Sequence, residues 1–356
     1  MLIEENKPLA PFTTFGIGGP ARWFVEATSE EEIAEAAAWA EAHAAKLFVL
    51  GGGSNLLVAD AGFDGLVLRV GLRGISVQDA TDLSGGRIYQ AAAGEEWDQF
   101  VERMTQAGCA GIECLAGIPG TVGGTPVQNV GAYGQEVASV LSRVRAFDLQ
   151  EHSFVEFAAS ECGFAYRRSR FNSEDNGRFI VTRVDYRLTP GGAPTVRYAD
   201  LQRALAERGT VSGEPSLSEV AAVVRRVRQA KGMLLVDGDP DCRSAGSFFK
   251  NPRVSEEQLR QIAAVSDKAP PRFPAGAGVE NLGRVKVPAA WLIEQAGFAK
   301  GHTLGAAAIS SRHTLALVNL GAARAADVLA LAEQIAAAVE KRFGLRLEME
   351  PVMVGF

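Results

Sequence analysis

LFVLGGGSNLLVAD, residues 47–60, sets three glycines between two apolar runs. LFVL (47–50) is a continuous apolar run ended by glycine and reads as a buried strand. LLVAD (56–60) reads as a second strand. Glycine admits positive φ and lets a ligand come close to the backbone. Successive exposed N–H groups in such a turn form a nest for anionic oxygens. The Ser54 hydroxyl and the Asn55 amide add donors. The strand on the far side excludes two common nucleotide signatures. No GxxxxGK[ST] is present, so this is not a P-loop. No helix opens here, as a Rossmann GxGxxG turn requires. Taken alone, the segment serves equally as a tight turn.

Upstream, RWFVEA (22–27) reads as a strand and SEEEIAEAAAWAEAHAAK (29–46) as a helix. Ser29 is its cap and Glu32 its capping-box partner. Ile33, Ala36, Ala37 and Ala40 make an apolar stripe. A strand–helix–strand unit therefore runs into the glycine turn. Downstream, strands are expected near 65–70, 88–93, 142–148 and 179–188, with a helix near 96–107. Between them LAGIPGTVGGTPVQNVGAYG (115–134) holds six glycines and two prolines. Such a long glycine-rich loop inside a domain is usually functional. Two glycine turns on different sheet edges can clamp one pyrophosphate with backbone N–H groups alone.

GGAPT (191–195) reads as a linker, and SLSEVAAVVRRVRQAK (216–231) as an amphipathic helix with a basic face. Helices are expected at 255–265, 289–296 and 324–343, with a Pro/Gly-rich loop at 269–283. LRLEMEPVMVGF (345–356) reads as a closing strand.

Composition narrows the function. The chain has 356 residues, 47% apolar and 22% charged, which excludes a mainly disordered protein. Net charge is −6, with no basic stripe for nucleic acid. No apolar run approaches the roughly 20 residues of a membrane span. The first residues, MLIEENKPLAPFTT, carry early acids and no apolar core, so no secretory signal is expected. Cys109, Cys114, Cys162 and Cys242 show no CxxC spacing, and only four histidines accompany them. Neither a metal site nor a disulfide framework is expected, and the compartment reads as reducing and cytoplasmic.

GGGSNLL, LAGIPGTVGGTPVQNVGAYGQE, FAYRRSRF and SAGSFFKNP, in this order, resemble the UDP-N-acetylenolpyruvoylglucosamine reductase family. The resemblance runs from TTFGIGG (13–19) to the C-terminal segment. It implies an α+β fold of the vanillyl-alcohol-oxidase-like type, with a two-part FAD-binding domain and a substrate-binding domain. The expected boundaries are 1–74 joined by 345–356, then 75–215, then 216–344. It implies NADPH-dependent reduction of UDP-N-acetylglucosamine enolpyruvate to UDP-N-acetylmuramate. That reaction serves peptidoglycan synthesis, and with it cell-wall biogenesis, cell shape and cell division. FAD contacts are implied for Gly51, Gly52, Gly53, Ser54, Asn55 and Leu56 in the first turn. Gly117, Ile118, Pro119, Gly120, Gly123 and Gly124 supply the second, and Asn129, Gly131 and Val181 complete the set.

The chemistry asks for specific groups. An enolpyruvyl double bond takes a hydride at one carbon and a proton at the other. Negative charge then develops on C2 and its carboxylate, so a proton donor and an enolate stabiliser are needed. The resemblance selects Ser247 of GSFF as the donor. Lys250 or a substrate charge would stabilise its alkoxide. In LRLEMEPV, alternation puts Arg346, Glu348 and Glu350 on one face. The resemblance selects Glu350, although the family more usually reads Leu-Glu-Pro-Glu-Val, so Glu348 stays open. Arg167, directly after Tyr166, is selected to pair with the substrate carboxylate, because an arginine fork binds carboxylates bidentately. Tyr198 matches a tyrosine that closes over the substrate. Lys231, Asn251 and Gln295 match further substrate contacts. A flavin oxidase on the same fold is the rival reading. With no Cys or His attachment motif, the FAD is expected to be non-covalent.

Overall fold

The computed structural model describes residues 1–79, 85–207, 214–275 and 281–356. Residues 276–280 of the expected Pro/Gly-rich loop lie outside the described residues. The chain divides into two units, each with its own apolar core. The first comprises Met1–Lys7, Ala21–Gly53 and Asp64–Ala230; the second comprises Pro8–Pro20, Ser54–Phe63 and Lys231–Phe356.

In the first unit, a four-stranded sheet runs in the order Glu4–Pro8, Pro20–Ala27, Phe63–Val70, Leu47–Leu50. The last two pair in parallel. The helix Glu30–Ala42 buries Ile33, Ala36, Ala37 and Ala40, the stripe read from its spacing. Ser29 Oγ accepts the Glu32 N–H at 3.2 Å. The Glu32 carboxylate returns to the Thr28 N–H at 2.7 Å, one residue earlier than a capping box requires. A second, antiparallel sheet takes the order Ser153–Ala158, Leu141–Asp148, Phe179–Pro190, Arg87–Ala92, Ile75–Asp79. The short strand Cys109–Ala110 pairs with the end of Phe179–Pro190. The helix Trp97–Gln106 places Trp97, Phe100, Val101 and Met104 in this core. The Trp97, Phe100 and Tyr186 rings meet with centroids 5.2–5.8 Å apart.

Leu217–Ala230, read from sequence as opening the substrate domain, lies in this first unit. Its arginines divide, with Arg226 exposed and the other two turned inward. Arg225 is half-buried, and Arg228 is a core residue.

In the second unit, Thr303–Leu304, Ala307–Ile309 and Leu317–Asn319 form an antiparallel sheet. The helix Ala325–Phe343 packs on it. Asp60 caps that helix, accepting the Ala325 and Ala326 N–H groups at 2.8 and 3.1 Å. Gly344, at φ +65°, ends it. The C-terminal segment is not one strand, which corrects the expectation for 345–356. Only Val352–Val354 is strand, pairing in parallel with Leu56–Val58. Pro351 brings no N–H to a ladder, so pairing breaks there. Met349 keeps an isolated bridge to Phe249. No helix among the described residues is long and apolar enough to cross a membrane. No metal-ligating cluster is found among them.

Candidate active site

In the first unit the two glycine turns touch backbone to backbone. A Cβ at Gly52 would stand 2.4 Å from Gly120 Cα and 3.0 Å from Thr121 N. One at Gly51 would stand 2.9 Å from Thr121 Oγ1. Gly53, Gly117 and Gly120 have φ of +62°, +71° and +124°. A Cβ at Gly124 would meet nothing within 4 Å. That side of the second turn is open, as a group approaching the backbone requires, and it suits a dinucleotide such as FAD. Gly123 differs, because a Cβ there would stand 2.6 Å from Ala93 Cβ. Its smallness serves internal packing.

The Gly117 peptide is held on both sides. Its N–H donates to Asp98 Oδ1 at 2.5 Å, and its carbonyl accepts from Arg228 Nε at 2.9 Å. Arg225 forks onto the same Asp98 carboxylate at 2.8 and 3.1 Å. Burial pulls the Arg228 guanidinium below the usual arginine range. Sequence reasoning gave none of these three charged residues a role. Only the Arg pair on one helix face hinted at it.

Asn129, at φ +46°, spends its amide inside the protein. Nδ2 donates to Glu136 Oε2 and to the Ala165 carbonyl, and Oδ1 accepts the Ala138 N–H. Val181 is a buried residue of the central strand, opposite Ala146. Gly131 begins the hairpin Gly131–Ala132, Gln135–Glu136. Its turn residues, Tyr133 and Gly134, both have positive φ, as a two-residue hairpin turn demands.

Arg167 occupies a similar turn. Ala165 and Arg168 exchange backbone hydrogen bonds, leaving Tyr166 and Arg167 at the tip. Arg167 takes φ +56°, a conformation a non-glycine residue adopts at a cost of about 1–3 kcal/mol. Its guanidinium donates to the Gly131 carbonyl at 3.3 Å. It therefore lies beside the end of the glycine-rich loop. Arg168 pairs with Glu174, and Arg170 stacks on Phe157 and pairs with Asp175. Tyr198 is exposed and meets the Tyr133 ring edge to face at 5.6 Å.

In the second unit Ser247 lies outside the regular strands, in an isolated antiparallel bridge to Ala316. The next residue, Phe248, accepts the Glu350 N–H at 2.9 Å. Phe248 and Phe249 fill the core beneath. Asn55 grips the same terminal segment. Its carbonyl accepts the Val352 N–H at 2.9 Å, and its Nδ2 donates to the Glu350 carbonyl at 3.3 Å. Its amide is thus engaged with the chain itself. Glu348 is exposed and ion-paired with Lys250. That pairing engages the Lys250 ammonium with Glu348. Asn251 Oδ1 accepts the Ala289 N–H at 2.9 Å, holding the helix Ala289–Gln295 that carries Gln295. Lys231 precedes Gly232, which packs against Asp241 and Arg312. Arg312 pairs with Asp239 and Asp241, so this segment is fixed.

Residues 239–354 match the model of the UDP-N-acetylenolpyruvoylglucosamine reductase C-terminal domain. Residues 21–151 match an FAD-binding domain. The UDP-N-acetylenolpyruvoylglucosamine reductase of Streptomyces coelicolor is 45% identical over 363 residues, covering 99% of this chain and 90% of that protein. The one from Thermobifida fusca is 44% identical, covering 99% and 98%. The crystal structure of the enzyme from Thermus caldophilus superposes with a TM-score of 0.64 at 29% identity, covering 99% of each chain.

Proposed function

The chain belongs to the UDP-N-acetylenolpyruvoylglucosamine reductase family, and from that membership we propose how its residues divide the reaction. The enzyme is an FAD-containing oxidoreductase. It uses NADPH to reduce UDP-N-acetylglucosamine enolpyruvate to UDP-N-acetylmuramate, a peptidoglycan precursor. FAD, when bound, would supply the hydride chemistry, relaying to the enolpyruvyl double bond the hydride that NADPH provides. The turns at 51–55 and 117–124 are the residues that would hold it. The open side of Gly124 is the observation that best supports this.

Ser247 gives its hydroxyl proton to C2, and water restores it. Arg167 pairs with the substrate carboxylate, where negative charge develops. Glu350 holds charge and proton at the reacting carbons. Support for Glu350 over Glu348 is the hydrogen bond joining its N–H to the residue after Ser247. Tyr198, Lys231, Asn251 and Gln295 contact the UDP-sugar. Residues 1–74 with 345–356 and residues 75–215 serve FAD, and 216–344 serve the substrate, with Leu217–Ala230 also bracing the second glycine turn. The FAD is non-covalent, consistent with four buried, free cysteines. A cytoplasmic site of action is part of this reading, supported by the free thiols of a reducing compartment.

The test is an absorption spectrum. The purified protein should be yellow, lose its flavin to the supernatant on acid precipitation, and bleach on adding NADPH. Colour should return under anaerobic conditions only with the enolpyruvyl substrate. A colourless protein that FAD cannot reconstitute would overturn the reading, and flavin retained in the pellet would overturn non-covalent binding.

A further inference from the structure

The segment that carries Tyr198 hangs on a buried carboxylate. Glu113 is fully buried. Its Oε1 accepts the Thr195 N–H at 2.8 Å and Gln135 Nε2 at 2.8 Å. Its Oε2 accepts the Gly111 N–H at 2.8 Å. Gln135 Oε1 accepts the Cys114 N–H at 2.8 Å. The Cys114 thiol donates to the Thr195 carbonyl at 3.3 Å. Thr195 is therefore held by both sides of its peptide, which the reading of 191–195 as a linker did not anticipate.

A carboxylate removed from water persists only when its oxygens are hydrogen-bonded or paired. Here three donors converge on one, and they come from separate stretches of chain. Gln135 is two residues past Tyr133, and Thr195 is three residues before Tyr198. The two rings meet edge to face at 5.6 Å. Tyr133 is also hydrogen-bonded to the buried Arg228. Glu113 thus fixes the two approaches to one aromatic pair.

We propose that Glu113 is a positioning residue of the reaction, which holds the Tyr133–Tyr198 pair in place and thereby sets affinity for the UDP-sugar. The proposal rests on the reading of Tyr198 as a substrate contact. Glu113→Gln keeps the size but turns one acceptor into a donor facing an N–H group. Such a mismatch should raise KM for the enolpyruvyl substrate about tenfold. The rate of flavin reduction by NADPH should stay unchanged, and hydrogen exchange at Thr195 or Gly111 should accelerate. Tyr198→Ala should raise KM similarly, and the double variant should add nothing further.

If Tyr198→Ala raises KM and Glu113→Gln does not, or if the two effects add, the inference fails alone. If Tyr198→Ala leaves KM unchanged, the reading of Tyr198 fails and the inference with it. Should Glu113→Gln not fold, exchange in the wild-type holoenzyme decides. A protected Thr195 amide supports the tether, and an unprotected one overturns it.

Discussion

Gly52→Ala is the sharpest test of how the FAD cradle is built. The added Cβ would lie 2.4 Å from Gly120 Cα, 2.8 Å from Gly120 C and 3.0 Å from Thr121 N. All three are main-chain atoms, so no side chain can rotate away. Restoring an ordinary contact of 3.4 Å requires the two turns to separate by roughly 1 Å. Overpacking of this kind costs about 1–3 kcal/mol. The strain falls on the turns proposed to hold the pyrophosphate. If it is carried wholly into binding, FAD affinity drops roughly 5- to 150-fold. The block is then between the two turns and not between turn and cofactor, as the sequence alone suggested. Gly124→Ala separates the cases, because its Cβ meets nothing within 4 Å. Its apoprotein should melt like the wild type, while FAD affinity still falls. Thermal unfolding of stripped apoprotein, paired with FAD titration by fluorescence, reads both quantities. A Gly52→Ala protein with unchanged Tm and unchanged FAD Kd would refute the backbone contact. A Gly124→Ala apoprotein with a lowered Tm would refute the open side.

Ser247→Ala should leave flavin reduction by NADPH nearly intact and slow reoxidation by the enolpyruvyl substrate about 10²–10⁴-fold in stopped flow. A parallel loss in both half-reactions would make Ser247 structural. Glu350→Gln should slow the same reoxidation strongly with FAD binding unchanged, whereas Glu348→Gln should be nearly silent; the reverse result would assign the role to Glu348. Burial pushes the Cys114 and Cys162 thiols up to about 12. Iodoacetamide at pH 8 should therefore label neither in the folded enzyme and both after unfolding, as mass spectrometry would show.

What the sequence disclosed, and what it hid, follows the range of the interactions. The stripe of Glu30–Ala42 and the bounds of Ala325–Phe343 were legible because helical patterning is local. The glycine turns were legible as a pair, because one run of three glycines alone serves equally as a tight turn. Their mutual contact was not, because Gly52 and Gly120 lie far apart in the chain. The partners of the basic residues on Leu217–Ala230 were hidden for the same reason. Arg225 finds Asp98 127 residues away, and Arg228 finds the Gly117 carbonyl 111 residues away. Isolated arginines on a helix look solvated until the partner is known. Asp60 as the cap of a helix 265 residues later is equally unreadable. The broken C-terminal strand is different, because Pro351 was in plain view and its missing N–H should have split the segment.

That proline also bears on the choice between Glu348 and Glu350. The backbone of this segment is held at alternate residues. The Glu348 carbonyl accepts the Lys250 N–H, the Glu350 N–H donates to Phe248, and the Val352 N–H donates to Asn55. Pro351 falls between two donors, at a position from which no N–H is asked. A slip of one residue either way would bring the proline to a donor position and leave an acceptor unpaired. It would also break the Lys250–Glu348 pair and the Phe249–Met349 bridge. Asn55 adds a second lock through its side chain on the Glu350 carbonyl. Met349 and Pro351, which depart from the family's usual motif, are thus compatible with only one register. In that register the Glu350 N–H is bonded to the residue that follows Ser247, while the Glu348 side chain is committed to Lys250. The same Asn55 that ends the first glycine turn therefore fixes the residue proposed to act at the reacting carbons.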